Sequence, residues 1–293
     1  MSNKTLVDLD QWLAPHKSTI QAREKYISSK LKKVLSGKTP ADFAMGFLHF
    51  GLHKTDAGWT FREWAPNAIR MFLVGDFSDW KECEEFSLSR NKNGEWSVNL
   101  PENSLRHGQK YKLRVYWPGG DGWRLPSYAN YVVQDENSVD FSAVVWSPKT
   151  PYNWQNNTPP KPKVPLIYEA HVGMSSQKEK VASFSEFTTE VLPRIKESDY
   201  NTIQLMAIAE HPYYASFGYH VSNFFAVSSR FGTPDDFKKL VDTVHGMGLR
   251  VIIDLVHAHA AKNEVEGLGN FAGDPTQYFK PTNHPEWDSR LFD

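Results

Sequence analysis

An acid and two histidines follow a β-branched run in Val251-Ile-Ile-Asp-Leu-Val-His-Ala-His259. Val251 to Ile253 reads as a buried strand that delivers Asp254, His257 and His259 to its C-terminal end, where a βα barrel collects its chemistry. Upstream, Phe217-Gly-Tyr-His220 adds the Tyr219 ring and the His220 imidazole, and Glu210 stands before them. An acid, imidazoles and an aromatic ring gathered at strand ends are groups with which such a barrel could do chemistry. The same residues admit a rival reading as a metal-dependent barrel hydrolase. On a single strand His257 and His259 would project to one side, since i and i+2 share a face, and paired imidazoles suit zinc. No further cluster of ligands accompanies them in the sequence, so no metal site is expected.

The elements that must carry these groups read as strand, helix, strand, helix, strand. Strands are predicted at 166–171, 202–206 and 249–255. Ser183 and Glu186 have capping-box spacing, and Phe187, Val191 and Ile195 fall on one helical face. A second helix opens at Thr233-Pro-Asp-Asp236, with Thr233 as N-cap, Pro234 in the first turn and acids at the positive end of the dipole. Phe237, Leu240, Val241 and Val244 form its buried face, and Gly248 closes it. Such an order implies a parallel sheet with right-handed crossovers. A whole (β/α)8 barrel takes about 250 residues. Only 129 follow Val164, so the first three βα units are expected and the remainder of the barrel is not.

Ahead of the barrel pattern lie three other compositions. Residues 1–42 read as a helical, polar N-terminal segment, with Tyr26, Ile27, Leu31, Val34 and Leu35 at helical spacing. Residues 43–146 alternate in short runs with Asn-Gly and Gly-Gly turns between them, which predicts an all-β sandwich. The proline-rich stretch 147–164 reads as an extended linker, and 165–293 as the barrel portion. The expected architecture is therefore multidomain. Aromatic residues make up 14% of the chain, with ten tryptophans. Trp64, Trp80 and Trp96 stand out as stacking candidates, Trp64 together with Pro66, whose Ala-Pro step would hold the indole at a strand end. Charge is balanced, 33 basic against 34 acidic residues, which excludes a basic nucleic-acid-binding face as the main theme. Cys83 is the single cysteine, and neither a signal peptide nor a membrane-length apolar run is evident. These features predict a cytoplasmic protein with no membrane partner.

Several segments resemble the glycogen and starch branching enzymes of the α-amylase superfamily, in the subgroup typical of eukaryotes. Arg62-Glu-Trp-Ala-Pro66 and Gly75-Asp-Phe-Ser-Asp-Trp80 resemble that family's N-terminal carbohydrate-binding module. Ile167-Tyr-Glu-Ala-His-Val-Gly-Met-Ser-Ser176 is similar to its first barrel strand. Gln204-Leu-Met-Ala207, Glu210-His-Pro-Tyr-Tyr-Ala-Ser-Phe-Gly-Tyr-His220 and Phe231-Gly-Thr-Pro234 match its next unit. Two positions depart from the pattern: Ala258 where serine is common, and Ala209 where a longer side chain is usual.

The resemblance implies a transferase that cuts an α-1,4-glucan and rejoins the released chain through an α-1,6 bond, without metal or organic cofactor. Its implied partner is an α-glucan polysaccharide (glycogen, amylose or amylopectin), and its implied state is monomeric. It implies that Tyr219 stacks beneath the sugar at the cleavage point, that His259 binds that sugar's hydroxyls and that His220 lines the same cleft. Trp64, Pro66, Trp80 and Trp96 become candidate glucan contacts of the sandwich. Asp254, His257 and Glu210 become structural residues of the site. The family's Trp287-Asp-Ser-Arg-Leu-Phe292 motif precedes the strand that carries the nucleophile, so the nucleophile and the acid/base are expected beyond Asp293 and no catalytic carboxylate within this chain. The alternative on this reading is a non-catalytic glucan-binding fragment.

Overall fold

The computed structural model describes residues 5–281 and 289–292, so Trp287 and Asp288 of the motif read above lie outside the described residues. Residues 1–49 and 50–293 form two compact units. In the first, α1 (Lys17–Leu35) carries the apolar stripe seen in the sequence, yet none of its residues is buried. Ser36, in the left-handed region at φ 47°, ends it. Pro40 then opens a new helical turn behind the capping box of Thr39 and Asp42.

The second unit begins with antiparallel strands. In chain order these are β1 (Gly51–Thr55), β2 (Gly58–Trp64), β3 (Arg70–Gly75), β4 (Ser89–Arg90) and β5 (Glu95–Leu100). They continue as β6 (Lys110–Trp117), β7 (Gly120–Arg124), β8 (Tyr131–Gln134) and β9 (Phe141–Val144). One sheet has the order β1-β2-β5-β4. The period-2 pleat turns Trp59, Phe61 and Glu63 of β2 inward and leaves Thr60, Arg62 and Trp64 outward. Trp59 and Phe61 join Trp96 of β5, Met71 and Leu73 of β3, and Leu113 of β6 in one apolar core, so the two sheets pack face to face.

The barrel portion supplies a parallel sheet in the order β10-β11-β14, formed by β10 (Ile167–Ala170), β11 (Thr202–Leu205) and β14 (Arg250–Ile253). Ile203 and Leu205 face Phe187, Leu192 and Ile195 of α2 (184–197) and Leu240 and Val244 of α3 (Pro234–Gly246). Within α2 the ladder widens to a π turn over Phe187–Val191. Pro193 explains it: proline offers no N–H, and its ring excludes the carbonyl four residues earlier. Helix α3 starts on the Thr233–Asp236 capping box. It ends in a Schellman closure, with Gly248 N–H on the His245 carbonyl (2.9 Å), Leu249 N–H on the Val244 carbonyl (3.1 Å), and Gly248 at φ 76°.

The proline-rich stretch does not divide two bodies, because residues 50–293 are one compact unit. It is irregular and pinned to α3. The Asp242 carboxylate accepts from the Tyr152 hydroxyl (2.8 Å) and from the backbone N–H groups of Gln155 (2.9 Å) and Asn156 (2.8 Å). Between β11 and β14 the chain also returns to the sandwich. Strands β12 (Ala209–Glu210) and β13 (Asn223–Ser228) extend the second sheet to the order β12-β13-β8-β9-β6-β3, β13 running parallel to β8 through Val227↔Tyr131 and Ser228↔Val132. After β14, β15 (His259–Ala261) pairs with β16 (Ser289–Leu291). Ala260, Leu268, Phe271 and Phe279 then complete the sandwich core. The chain after the proline-rich stretch thus adds two strands and several core residues to the sandwich, while its parallel sheet keeps a hydrophobic cluster of its own.

Candidate functional site

The C-terminal ends of β10, β11 and β14 bring three polar groups together. The pleat sends Ile203 and Leu205 toward the helices, so Gln204 between them faces the opposite side of the sheet. Its amide donates to Asp254 Oδ1 (2.8 Å) and to Glu169 Oε1 (3.4 Å). The second oxygen of Asp254 accepts from the Tyr219 hydroxyl (2.9 Å). Burial, then the bond to Asp254, pushes the Tyr219 phenol up to about 12, so it stays a donor. With each oxygen already engaged by a donor, Asp254 serves as an anchor for its neighbours.

The loop before β13 presents Tyr219. Phe217 sits in the left-handed region at φ 53°, and Gly218 follows at φ 85°. A Cβ at Gly218 would lie 2.0 Å from the Ala207 carbonyl oxygen, so only glycine permits this approach. His259 Nε2 lies 3.0 Å from the Tyr219 carbonyl; a carbonyl only accepts, so Nε2 carries the hydrogen. The His220 ring is 6.3 Å from that of His259 and perpendicular to it. The structure therefore groups Tyr219, Asp254, His259 and His220.

His257 stands apart from its expected position. Strand β14 stops at Ile253, residues 254–257 are irregular, and His259 opens β15, so the two histidines do not share one face of one strand. That removes the geometric basis of the paired zinc ligand. Among the described residues no group of three or more His, Cys, Asp or Glu could hold a metal ion. His257 is exposed and borders, with Asp254 and Leu255, a cavity of about 460 Å³ whose other wall includes Ser127, Tyr128 and Tyr278 of the sandwich side.

Glu210 is buried beneath the loop. It accepts from Ser228 Oγ (2.9 Å) and from Ser229 N–H (2.8 Å) and Oγ (3.0 Å), and it pairs with Arg230 at 3.2 Å. Burial raises its affinity for a proton, and these bonds oppose the rise. It fastens β12 to the end of β13.

On the sandwich, Trp64 points outward, its Nε1–H on the Asn93 carbonyl (3.3 Å). Its own carbonyl accepts from Gln277 (2.8 Å) and from the Tyr278 hydroxyl (3.2 Å). Pro66 is half-buried beside it, its carbonyl accepting from Arg90 (2.7 Å). Trp80 is 38% exposed, its Nε1–H on Asp76 (2.9 Å), with Trp123 edge-on at 6.5 Å. Trp96 corrects the expectation. It pairs with Glu63 across β2 and β5, so both face inward, and its Nε1–H is buried on the Ala65 carbonyl (2.9 Å). At 4% exposure it offers no face to a ligand.

Gln204, Glu169 and Trp123 were missed in the sequence. A lone amide between Ile203 and Leu205 was the available signal, since a polar residue in alternation with core residues must face something polar.

Two family models match the chain: "Carbohydrate-binding module 48 (Isoamylase N-terminal domain)" over residues 49–129 and "Alpha amylase, catalytic domain" over residues 187–274. Among curated relatives, a 1,4-alpha-glucan-branching enzyme of Yarrowia lipolytica is 44% identical over 97% of this chain and 43% of its own length. Those of Dictyostelium discoideum and Felis catus are 42% and 41% identical, over 97% and 98% of this chain and 43% and 42% of their own length. The chain thus spans less than half the length of these relatives. Of solved structures, a putative alpha amylase from Salmonella typhimurium superposes with a TM-score of 0.66 at 21% identity, covering 83% of this chain and 38% of the other. A pullulanase from Bacillus acidopullulyticus gives 0.65 at 19% identity, over 83% and 34%. These likenesses concern the fold.

Proposed function

From the premise that this chain belongs to the 1,4-α-glucan-branching enzyme family of the α-amylase superfamily, we propose that the protein cleaves an α-1,4-glucan and transfers the released chain to a glucan 6-hydroxyl. The observation that carries this reading at the level of residues is the bonded set Gln204–Asp254–Tyr219 at the C-terminal end of a parallel sheet. Asp254 fixes the phenol, and the Tyr219 ring supports a sugar from below. His259 and His220 flank that position and bind its hydroxyls, while His257 and Glu210 have supporting roles.

Retaining transfer needs two carboxyl groups about 5–5.5 Å apart, one as nucleophile and one as acid/base. Asp254 is engaged through both oxygens, and Glu210 is closed in by Ser228, Ser229 and Arg230. Neither supplies a free nucleophile. On this reading the described residues hold and orient glucan, and the cutting carboxyls belong to the part of the relatives' length beyond this chain. The sandwich adds glucan contacts at Trp64 with Pro66, half-buried on its outer face, and at Trp80, whose indole is exposed. The protein acts as a cytoplasmic monomer without a cofactor; Cys83 as a free thiol fits a reducing compartment.

An iodine-stain assay on amylose, followed by enzymatic debranching to count side chains, tests the activity of the complete protein. New α-1,6-linked chains are expected; shortened linear chains alone would replace branching by hydrolysis. For the 293-residue chain, glycogen-affinity electrophoresis should show retardation that weakens in Trp64→Ala and Trp80→Ala. Identical mobility with and without glycogen would remove the sandwich from the site.

A further inference from the structure

Two imidazoles behind the Tyr219 loop have no part in the reading above. His171 follows β10 and His211 follows β12. Both stand against the same rings, His171 at 6.1 Å from Tyr214 and 5.6 Å from Phe231, His211 at 6.4 and 6.3 Å. Backbone groups decide where each keeps its hydrogen. Met174 N–H donates to His171 Nδ1 (3.1 Å), so Nδ1 is the acceptor and Nε2 carries the hydrogen. His211 Nδ1 lies 2.9 Å from the Ala209 carbonyl, which can only accept, so Nδ1 carries the hydrogen and Nε2 keeps its lone pair. Both Nε2 atoms are buried, and neither has a protein partner. Burial, and for His171 the nearby His211 as well, disfavours the charged form of both rings.

The result is one orphan donor and one orphan acceptor beside the same pair of aromatic rings. Native interiors rarely leave such atoms unmet, and a water enters where polar partners converge. We propose that His171 and His211 form a built site for one internal water, which accepts from His171 Nε2–H and donates to His211 Nε2, and that this bridge positions the loop bearing Tyr219. A metal ion does not fit, because His171 Nε2 keeps its hydrogen while Met174 N–H holds Nδ1, leaving a single lone pair. The bridge reaches the site through Phe217, which meets the His171 ring at 5.5 Å and 88° and precedes Gly218 and Tyr219. This second half rests on the glucan reading of Tyr219; the water site itself does not.

The test uses the 293-residue chain with ¹⁵N-labelled histidine. Long-range ¹H–¹⁵N spectra report the protonated nitrogen of each ring, and His171→Gln and His211→Gln assign the signals. The expected result is opposite tautomers, Nε2–H for His171 and Nδ1–H for His211, with a cross-peak from the His171 Nε2 proton to slowly exchanging water. The same tautomer at both rings, or no such cross-peak, overturns the site. Maltoheptaose affinity is then read from the Tyr219 ring resonance, assigned with Tyr219→Phe. His171→Gln, whose amide still donates, should bind within about threefold of the parent, and His171→Phe about tenfold more weakly, as for one lost buried hydrogen bond. Equal affinities in the two variants overturn the positioning role. If maltoheptaose leaves Tyr219 of the parent unmoved, the glucan reading fails, and the spectra of the resting protein still decide the water site.

Discussion

Glu63 is a buried carboxylate in the middle of a β-sandwich, and its replacement by glutamine should change how stability depends on pH. The pleat of β2 forces it inward, opposite Trp96. Its oxygens accept from Trp64 N–H (2.9 Å), Ser127 N–H (2.8 Å) and the Ser127 hydroxyl (2.5 Å). Burial outweighs these three bonds and raises the carboxyl from 4.5 to about 7. The phenols nearest in charge, Tyr111, Tyr128 and Tyr278, are themselves pushed upward and stay neutral through this range. A folded-state value above the unfolded one means that the fold binds the proton more tightly. This contribution is therefore complete below 4.5 and is lost as pH rises through 7. At about 1.4 kcal/mol per pH unit the loss approaches ~3 kcal/mol. Glu63→Gln mimics the protonated form and does not titrate. Urea unfolding of parent and variant between pH 4.5 and 8 should show the variant gaining about 3 kcal/mol on the parent across that window, whatever its offset at the acid end. A difference in stability that stays constant with pH would refute the reasoning and mean that the three hydrogen bonds keep Glu63 ionised.

Trp96→Ala should cost about 3–5 kcal/mol by opening the core, whereas Trp64→Ala, on the outer face, should lower glucan affinity at a smaller cost; comparable melting losses in both would contradict the pleat assignment. Gly218→Ala places a Cβ against the Ala207 carbonyl at a left-handed φ and should destabilise the chain by at least about 2 kcal/mol, checked by thermal melting; a silent substitution would mean that the loop has room to rearrange. Thr233→Ala removes the hydroxyl that bonds Asp236 N–H (3.2 Å) and should cost about 1 kcal/mol in chemical denaturation, with no cost expected only if the cap is frayed in solution.

The sequence was most informative where one local rule acts alone. Thr233, Pro234 and Asp236 mark a helix start because capping needs only neighbours, and Gly248 marks the end for the same reason. Tyr219 and Asp254 were legible as candidates, and the structure bonds them to each other, though the amide that joins the strands to them was not legible. Gln204 becomes significant only when parallel register sets it beside Glu169 and its strand end beside Asp254. Trp96 shows the converse. As a residue type it suits stacking, and only its partner across the ladder, Glu63, reveals that it faces the core.

The largest difference lies in how the two halves join. A proline-rich stretch between two patterns reads as a boundary, because composition carries no information about which strands will pair later. The chain after it sends β13 back to lie parallel to β8, and Arg124 reaches the carbonyls of Asn270 (2.8 Å) and Phe271 (3.0 Å). Asn67 does the same to Ala272 (2.7 Å), while Gln277 and Tyr278 hold the carbonyl of Trp64. Every one of these bonds uses a backbone carbonyl, which any sequence possesses, so no residue pattern announces them. Their consequence is mechanical. The Trp64 corner of the sandwich and the Asp254 end of the parallel sheet lie in one compact unit built on two hydrophobic clusters, so a ligand bound at the first would stand in a set frame relative to the second.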